Sequence, residues 1–347
     1  MDKIDQKIEA AAAPHTPHTT HREPRGHSGT RSRSAFRGKS FSRRDTPTIK
    51  NTVRKTEDII PPIEGDNIRV IPLGGVEEIG RNMTMIEYKN DIIVIDIGFQ
   101  FKDEDTPGID YILPNTKYLE DNKHKIRGLF ITHGHLDHIG GLPFLIDRIG
   151  YPKIYTRQFG AIMIQKRQDE FPHLQPLDIQ VIEGDETLSI GELRIKTFPI
   201  SHTIPDSMGL IIETPHGNIV FIEDVRVDNI NGVPTEEEVE QYKRFKDMKV
   251  LMLTMDSTSV EKPGFSLSEN VVIENLARFI TETKSRLFIA TFASQVERII
   301  AIIQAAEKCG KKIVVEGRSM KSNIEIIKQL KLADVTNIIP LEDIENY

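Results

Sequence analysis

Cysteine occurs once in these 347 residues, as Cys309. A single thiol excludes an internal disulfide and a cysteine-based zinc site, and it fits a reducing cytoplasm. Its place in a helical pattern predicts a packing residue rather than a nucleophile. No apolar run approaches the roughly 18 residues that a membrane span requires. The first residues lack the apolar core of a secretory signal, so secretion is not expected. With 38% apolar and 28% charged residues, the composition is that of a soluble globular protein, long enough for two domains plus extras. In the body of the chain negative charge outnumbers positive. Residues 1–57 carry 13 Lys and Arg against 6 Asp and Glu, a net of +7; the whole chain is at −7, which leaves −14 for the remainder. A basic arm on an acidic body predicts a polyanionic partner reached through the arm.

Residues 1–60 are rich in Pro, Thr, Ser, Arg and His and read as a disordered basic arm. Phe36 and Phe41 stand among Arg31, Arg33 and Arg37, which suits base stacking with phosphate contact and equally a solvated tail. Order begins near Asn67. Ile68–Leu73, Met83–Tyr88 and Asp91–Gly98 read as three strands with turn residues between them, an antiparallel start to a sheet. Asp96 closes the third. A carboxylate there needs a partner; it either orients a metal-binding histidine from behind or caps a helix.

One stretch concentrates the chemistry. Phe130-Ile-Thr-His-Gly-His-Leu-Asp-His138 places His133, His135, Asp137 and His138 within six positions after the apolar run Gly128–Ile131. On extended backbone, residues two apart share a face, so His133 and His135 can reach one ion. Asp137 and His138 are adjacent; their side chains diverge and favour a second ion beside the first. The donor set suits zinc first, with manganese or iron after it. Further on, Phe198–His202 sets a histidine at a strand end, and Asn218–Ile222 runs into Glu223 and Asp224. His202 completes the first site, and Asp224 reads as a ligand shared by both. His124, His173 and His216 stand in polar loops and read as surface residues.

Val250–Asp256 reads as another buried strand ending in a carboxylate. After it the period changes. Ser266-Leu-Ser-Glu269 reads as a capping box opening a helix to about Thr283, and Ser294–Glu297 caps a second that runs to Lys308. Ser319–Leu330 is a third, with strands at Leu287–Thr291 and Lys312–Glu316 between them. This alternation predicts parallel pairing in a separate α/β unit. The helix starts at Ser294 and Ser319 offer phosphate-binding amides or are ordinary caps.

Taken together, His133-x-His-x-Asp-His138, His202 and Asp224 resemble the metallo-β-lactamase superfamily. Asp256-Ser-Thr258 followed by an α/β unit resembles its β-CASP, nucleic-acid branch. Ile71-Pro-Leu-Gly-Gly75, Gly108-Ile-Asp-Tyr111, His202-Thr-Ile-Pro-Asp-Ser207, Ala290-Thr-Phe-Ala-Ser294 and Gly317-Arg-Ser-Met320 are similar to the ribonuclease J family. The resemblance covers residues 68 to about 330. It implies an αββα sandwich over residues 61–262, with the first part of a β-CASP domain at 263–347. It implies two zinc ions, manganese being possible: one on His133, His135 and His202, the other on Asp137, His138 and a bridging Asp224. Asp137 and Asp256 become the catalytic carboxylates, and Ser294 and Ser319 candidate RNA contacts. The implied partner is RNA, with further copies of the chain possible in a full-length protein; the place is the cytoplasm. The implied activity is RNA phosphodiester hydrolysis, 5′→3′ on 5′-monophosphorylated ends with some internal cleavage. The family's later histidines are absent from these residues, so the chain reads as an N-terminal piece. Glu77 and Glu223 stand where the family usually has glycine. A catalytically incomplete RNA-binding homologue and a small-molecule metallo-hydrolase are the other two readings.

Overall fold

The computed structural model describes residues 60–102 and 107–347; the arm and its arginines Arg31, Arg33 and Arg37 lie outside the described residues. Residues 60–347 form one compact unit. Strands β1 (Ile68–Gly74), β2 (Met83–Tyr88) and β3 (Asp91–Ile95) pair antiparallel in sequence order, as their turn chemistry predicts. A small ribbon, β4 (Gln100–Phe101) with β5 (Tyr111–Ile112), follows. Then β6 (Ile126–Phe130), β7 (Ile154–Thr156) and β8 (Ile179–Val181) add in parallel beside β3, which gives a six-stranded sheet.

The second sheet has five strands. Its meander β9 (Thr187–Ile190), β10 (Leu193–Pro199), β11 (Met208–Thr214) and β12 (Gly217–Ile222) is antiparallel. The hairpin β13 (Asn229–Ile230) and β14 (Val233–Pro234) intervenes, and β15 (Val250–Met255) joins β12 in parallel as the edge; it is exposed along most of its length rather than buried as expected, because an edge strand has a neighbour on one side alone.

Strand alternation divides the core into layers. In β3, Ile93 and Ile95 face the second sheet, where they meet Phe130, Ile195, Leu210, Ile212 and Phe221. Ile92 and Val94 face the other way, onto Leu142, Leu145 and Ile164 of the helices Leu142–Leu145 and Gln158–Asp169. Both faces of β3 are covered, which is why it is apolar at almost every position. Across the second sheet, Phe198, Val220 and Ile222 pack with Tyr242 and Phe245, at and just beyond the helix Glu236–Lys243. The order is helix, sheet, sheet, helix. Each fully buried Ile or Phe contributes roughly 1.5–3 kcal/mol by leaving water.

The last 80 or so residues depart from expectation. The helices Glu269–Glu282, Val296–Lys308 and Arg318–Gln329 form. The expected strands at Leu287–Thr291 and Lys312–Glu316 do not; among the described residues only a parallel bridge, Ile313 to Ile338, is present. A parallel strand has no hairpin neighbour to supply its hydrogen bonds, and residues 287–291 find no such neighbour. Ser266 does not cap the first of these helices. The cap position is Ser268, and Glu269 turns away to a two-pronged ion pair with Arg298, at 2.7 and 2.6 Å. Ser294 lies one residue before the cap position Gln295, and Ser319 lies inside its helix. Cys309 is exposed at the C-cap of Val296–Lys308, a position the helix ends on rather than packs with. His124, His173 and His216 are exposed.

Candidate metal centre

The ends of three strands converge on one rim of the sandwich. β6 stops at Phe130, and Ile131, Thr132 and His133 continue to His135, which opens the short helix Leu136–Ile139 from an extended conformation. Asp137 and His138 ride on that helix. His202 follows β10 by three residues, and Asp224 follows β12 by two. Segments far apart in sequence thus place donors from three strand ends at one locus.

The donors form two groups, His133–His135–His202–Asp224 and Asp137–His138–Asp224, with ligand atoms in each within 4.8 Å of one another. In the first, His135 Nδ1 lies 3.0 Å from His133 Nε2 and 3.2 Å from His202 Nε2. Asp224 Oδ2 is 3.7 Å from His133 Nε2 and 3.4 Å from His202 Nε2. In the second, His138 Nε2 is 3.5 Å from Asp137 Oδ2 and 3.4 Å from Asp224 Oδ1. A tetrahedral ion with bonds near 2.0–2.1 Å needs ligand atoms about 3.3 Å apart. The measured separations bracket that value, so the residues fit a metal ion. Asp224 turns one oxygen to each group.

Asp96 resolves between its two readings. It is buried, it adopts φ 58°, and its Oδ1 accepts the Thr132 N–H at 2.8 Å. Its Oδ2 accepts the Thr132 hydroxyl at 2.8 Å and lies 2.7 Å from His138 Nδ1. It caps no helix. It fixes His138 with Nε2 facing the second group, the arrangement by which carboxylates orient metal-binding histidines. Gly98 is obligatory for a different reason: a Cβ there would overlap the Asp137 carbonyl oxygen, so the loop after β3 can press against the helix Leu136–Ile139 only as glycine.

Electrostatics agree with this division. Burial, with the neighbouring histidines, holds His133 well below the ordinary imidazole value, so it stays a neutral donor. Burial brings His202 down to about 4. Burial also opposes charge on His138, yet Asp96, Asp137 and Asp224 hold its pKa well above the usual range. Without an ion, a proton on His138 supplies the positive charge among three carboxylates. Burial disfavours ionised Asp224, but its hydrogen bond to His138 and the surrounding histidines bring it to about 2. Ion binding is therefore coupled to proton release at His138.

Asn82 carries no ligand signature in the sequence and was not foreseen. Its Nδ2 lies 3.0 Å from His138 Nε2 and 3.4 Å from Asp137 Oδ2, and its backbone N–H donates to the Asp137 carbonyl at 3.0 Å. Glu78 braces the loop that carries it, accepting from Gly75 N at 3.0 Å and from Arg81 at 2.6 and 2.7 Å. The signal available was a nine-residue loop, Gly74–Asn82, with three glycines and an internal ion pair, too ordered for a mere connection. Asn82→Ala is expected to weaken zinc binding about tenfold at the Asp137–His138 group, measured by chelator competition; unchanged affinity would make Asn82 a spectator.

The neighbouring Glu77 stands exposed at φ 61°, in the left-handed region that favours glycine. Asp256 follows β15 and its Oδ1 accepts from Thr258 N at 2.7 Å; its own N–H donates to the carbonyls of Ile222 and Glu223 at 3.1 and 3.2 Å. It belongs to neither donor group. The Ser294 carbonyl lies 3.4 Å from His135 Nε2, whereas Ser319 is exposed.

Residues 92–289 match the family model of the beta-lactamase superfamily domain, more than half of the chain. The chain therefore belongs to the beta-lactamase superfamily. Within it, the chain resembles ribonuclease J: residues 284–347 match the beta-CASP domain of that enzyme. Ribonuclease J of Mycoplasma pneumoniae is 35% identical over 281 residues, 80% of this chain and 49% of that protein. The Thermus thermophilus ribonuclease J is 35% identical over 292 residues, 81% of this chain and 50% of that one. The chain thus spans about half the length of the curated relatives it matches. A crystal structure of an Enterococcus faecalis protein of unknown function shares the fold, with a TM-score of 0.58 at 20% identity, covering 79% of this chain and 73% of that one. Among the described residues no helix is long and apolar enough to cross a membrane.

Proposed function

We propose that this chain carries the metal centre of a ribonuclease J-like enzyme that hydrolyses RNA phosphodiesters in the cytoplasm. The observation that carries the reading is the pair of donor groups joined through Asp224, on a chain whose residues 284–347 match the ribonuclease J beta-CASP domain. On this reading the metallo-β-lactamase fold occupies 61–262 and the β-CASP unit begins at 263. His133, His135 and His202 hold one zinc ion, Asp137 and His138 the other, and Asp224 both; manganese is an alternative. Bound divalent ions lower the pKa of water from 15.7 to about 7 and offset the charge that builds on a phosphodiester.

The chain's own residues do the rest. Burial keeps His133 and His202 neutral and ready to donate lone pairs. Asp96 sets the angle of His138, and Asn82 holds the Asp137 carbonyl. Asp137 and Asp256 are the acidic groups assigned to the reacting phosphate, and Asp256 stands beside Glu223 on the same rim. The basic arm, with Arg31, Arg33 and Arg37, supplies a salt-dependent hold on RNA, and Ser294 and Ser319 are further contacts to the backbone. Digestion begins at a 5′-monophosphate, with internal cleavage in addition, and a full-length protein associates with its own copies.

The test uses the full-length protein with zinc or manganese supplied. RNA with a labelled 5′-monophosphate is expected to decay from that end, and His135→Ala to leave it intact. Equal decay by His135→Ala and the parent would remove the metal centre from the mechanism. Fewer than one bound ion per chain with RNA binding retained would instead favour a non-catalytic RNA-binding protein.

A further inference from the structure

His135 Nδ1 faces the donor group, so its other ring nitrogen points away from the ion. That nitrogen, Nε2, meets the Ser294 carbonyl at 3.4 Å, from a segment 159 residues further along the chain. A carbonyl at Nε2 fixes the proton there and leaves the lone pair on Nδ1. The carbonyl is itself held at both ends. Upstream, the Asn323 amide donates to the Ala293 carbonyl at 2.7 Å. Downstream, the Val296 N–H donates to the carbonyl of Thr203, the residue after ligand His202, at 3.1 Å. Asn323 is only 6% exposed on the helix Arg318–Gln329, and its neighbours Ile324 and Ile327 pack with Phe159, Ile204 and Val296. A buried amide in an otherwise apolar helix face is retained at a desolvation penalty unless its hydrogen bond is made. Here the bond is made to the turn that carries Ser294.

We infer that Asn323 is a positioning residue of the metal centre: through the Ala293–Ser294 turn it sets the carbonyl that orients His135. The inference rests on reading His133, His135, His202 and Asp224 as a metal site. It couples the helical part of the chain to the strand-end histidines. Displacing the helix Arg318–Gln329 loosens a ligand that it never touches.

The experiment uses the whole 347-residue chain and zinc as the probe. Zinc affinity is read by competition with a chromogenic chelator, and the His135 Nε2–H is followed as an imidazole signal in nitrogen-15 spectra of the loaded protein. Asn323→Asp keeps the shape and removes the donor; Asn323→Ser replaces the amide with a hydroxyl too short to reach the Ala293 carbonyl. Ile327→Val, on the same helix, loosens the core without touching the turn. Both Asn323 variants are expected to bind zinc about tenfold more weakly and to lose or shift the Nε2–H signal, while Ile327→Val stays within about twofold of the parent. Equal losses in all three would mean general loosening and overturn the inference, as would parent-like affinity in Asn323→Asp and Asn323→Ser. A parent chain that binds no zinc overturns the metal-site reading as well; a parent that binds zinc with unaffected variants overturns this inference alone.

Discussion

Asp224→Ala is expected to weaken zinc binding at both donor groups, whereas His202→Ala weakens only one. The reason is the position of the two carboxylate oxygens. Oδ2 stands 3.7 and 3.4 Å from Nε2 of His133 and of His202, and Oδ1 stands 3.4 Å from Nε2 of His138. Removing the carboxylate takes one donor from each group. Even indirect supports of a metal ligand are worth 10–100-fold in affinity, so a shared direct donor should be worth at least about 100-fold, or roughly 2.7 kcal/mol, at each. The Asp137–His138 group suffers more, since it falls to two donors from three, while the first retains three imidazoles. Zinc content by mass spectrometry should fall from two ions per chain to one or fewer in Asp224→Ala, and the remaining ion should exchange faster. Two tightly held ions in Asp224→Ala would sink the shared-ligand geometry. The metal-free melting temperature should fall too, because His138 loses one of the three carboxylates that hold its proton.

What the sequence made legible follows from how local each signal is. His133, His135, Asp137 and His138 sit in one hexapeptide, and no ordinary turn concentrates donors that way. His202, Asp224 and Asp256 could be found because each breaks an apolar strand at its end, where a polar side chain requires a reason. The faces of β3 were readable from continuous apolarity. Long-range determinants were not. Asn82 and Asn323 carry amides, which resemble any turn or surface residue until the chain is folded and their partners, His138 and the Ala293 carbonyl, are beside them. The capping box at Ser266 failed because Glu269 has a stronger partner in Arg298, 29 residues away. The strands at Leu287–Thr291 and Lys312–Glu316 failed because β propensity describes a residue and pairing requires a neighbour. Cys309 was misread because a helical period says little about the final turn, where the packed face runs out. Glu77 and Glu223 were visible as departures from the family pattern, but their consequences depend on backbone angle and on surrounding charge.

Glu223 is the departure with the larger consequence, and it gives a pH-dependent prediction. It lies between the end of β12 and ligand Asp224. Burial, followed by the negative charges of Asp96, Asp224 and Asp256, raises its carboxyl to about 7 in the metal-free protein. The ordinary value is 4.5. A folded-state pKa raised above the unfolded value means that the folded chain holds this proton more tightly. The associated stability is fully present below about pH 4.5 and is lost as pH rises through about 7. The full shift corresponds to about 3 kcal/mol. Glutamine cannot ionise, so Glu223→Gln in chelator should melt roughly 5 °C above the parent at pH 8, with the gap closing towards pH 4.5. Zinc should narrow the gap at pH 8, because cations on Asp224 offset the repulsion that raises Glu223. The measurement is a pair of thermal scans across pH 4.5–8.5, with chelator and with zinc. A gap that is the same at pH 5 and pH 8 would mean that Glu223 is not protonated in the folded chain. Loading the neighbouring donors with zinc at pH 7 is therefore expected to release the Glu223 proton to solvent.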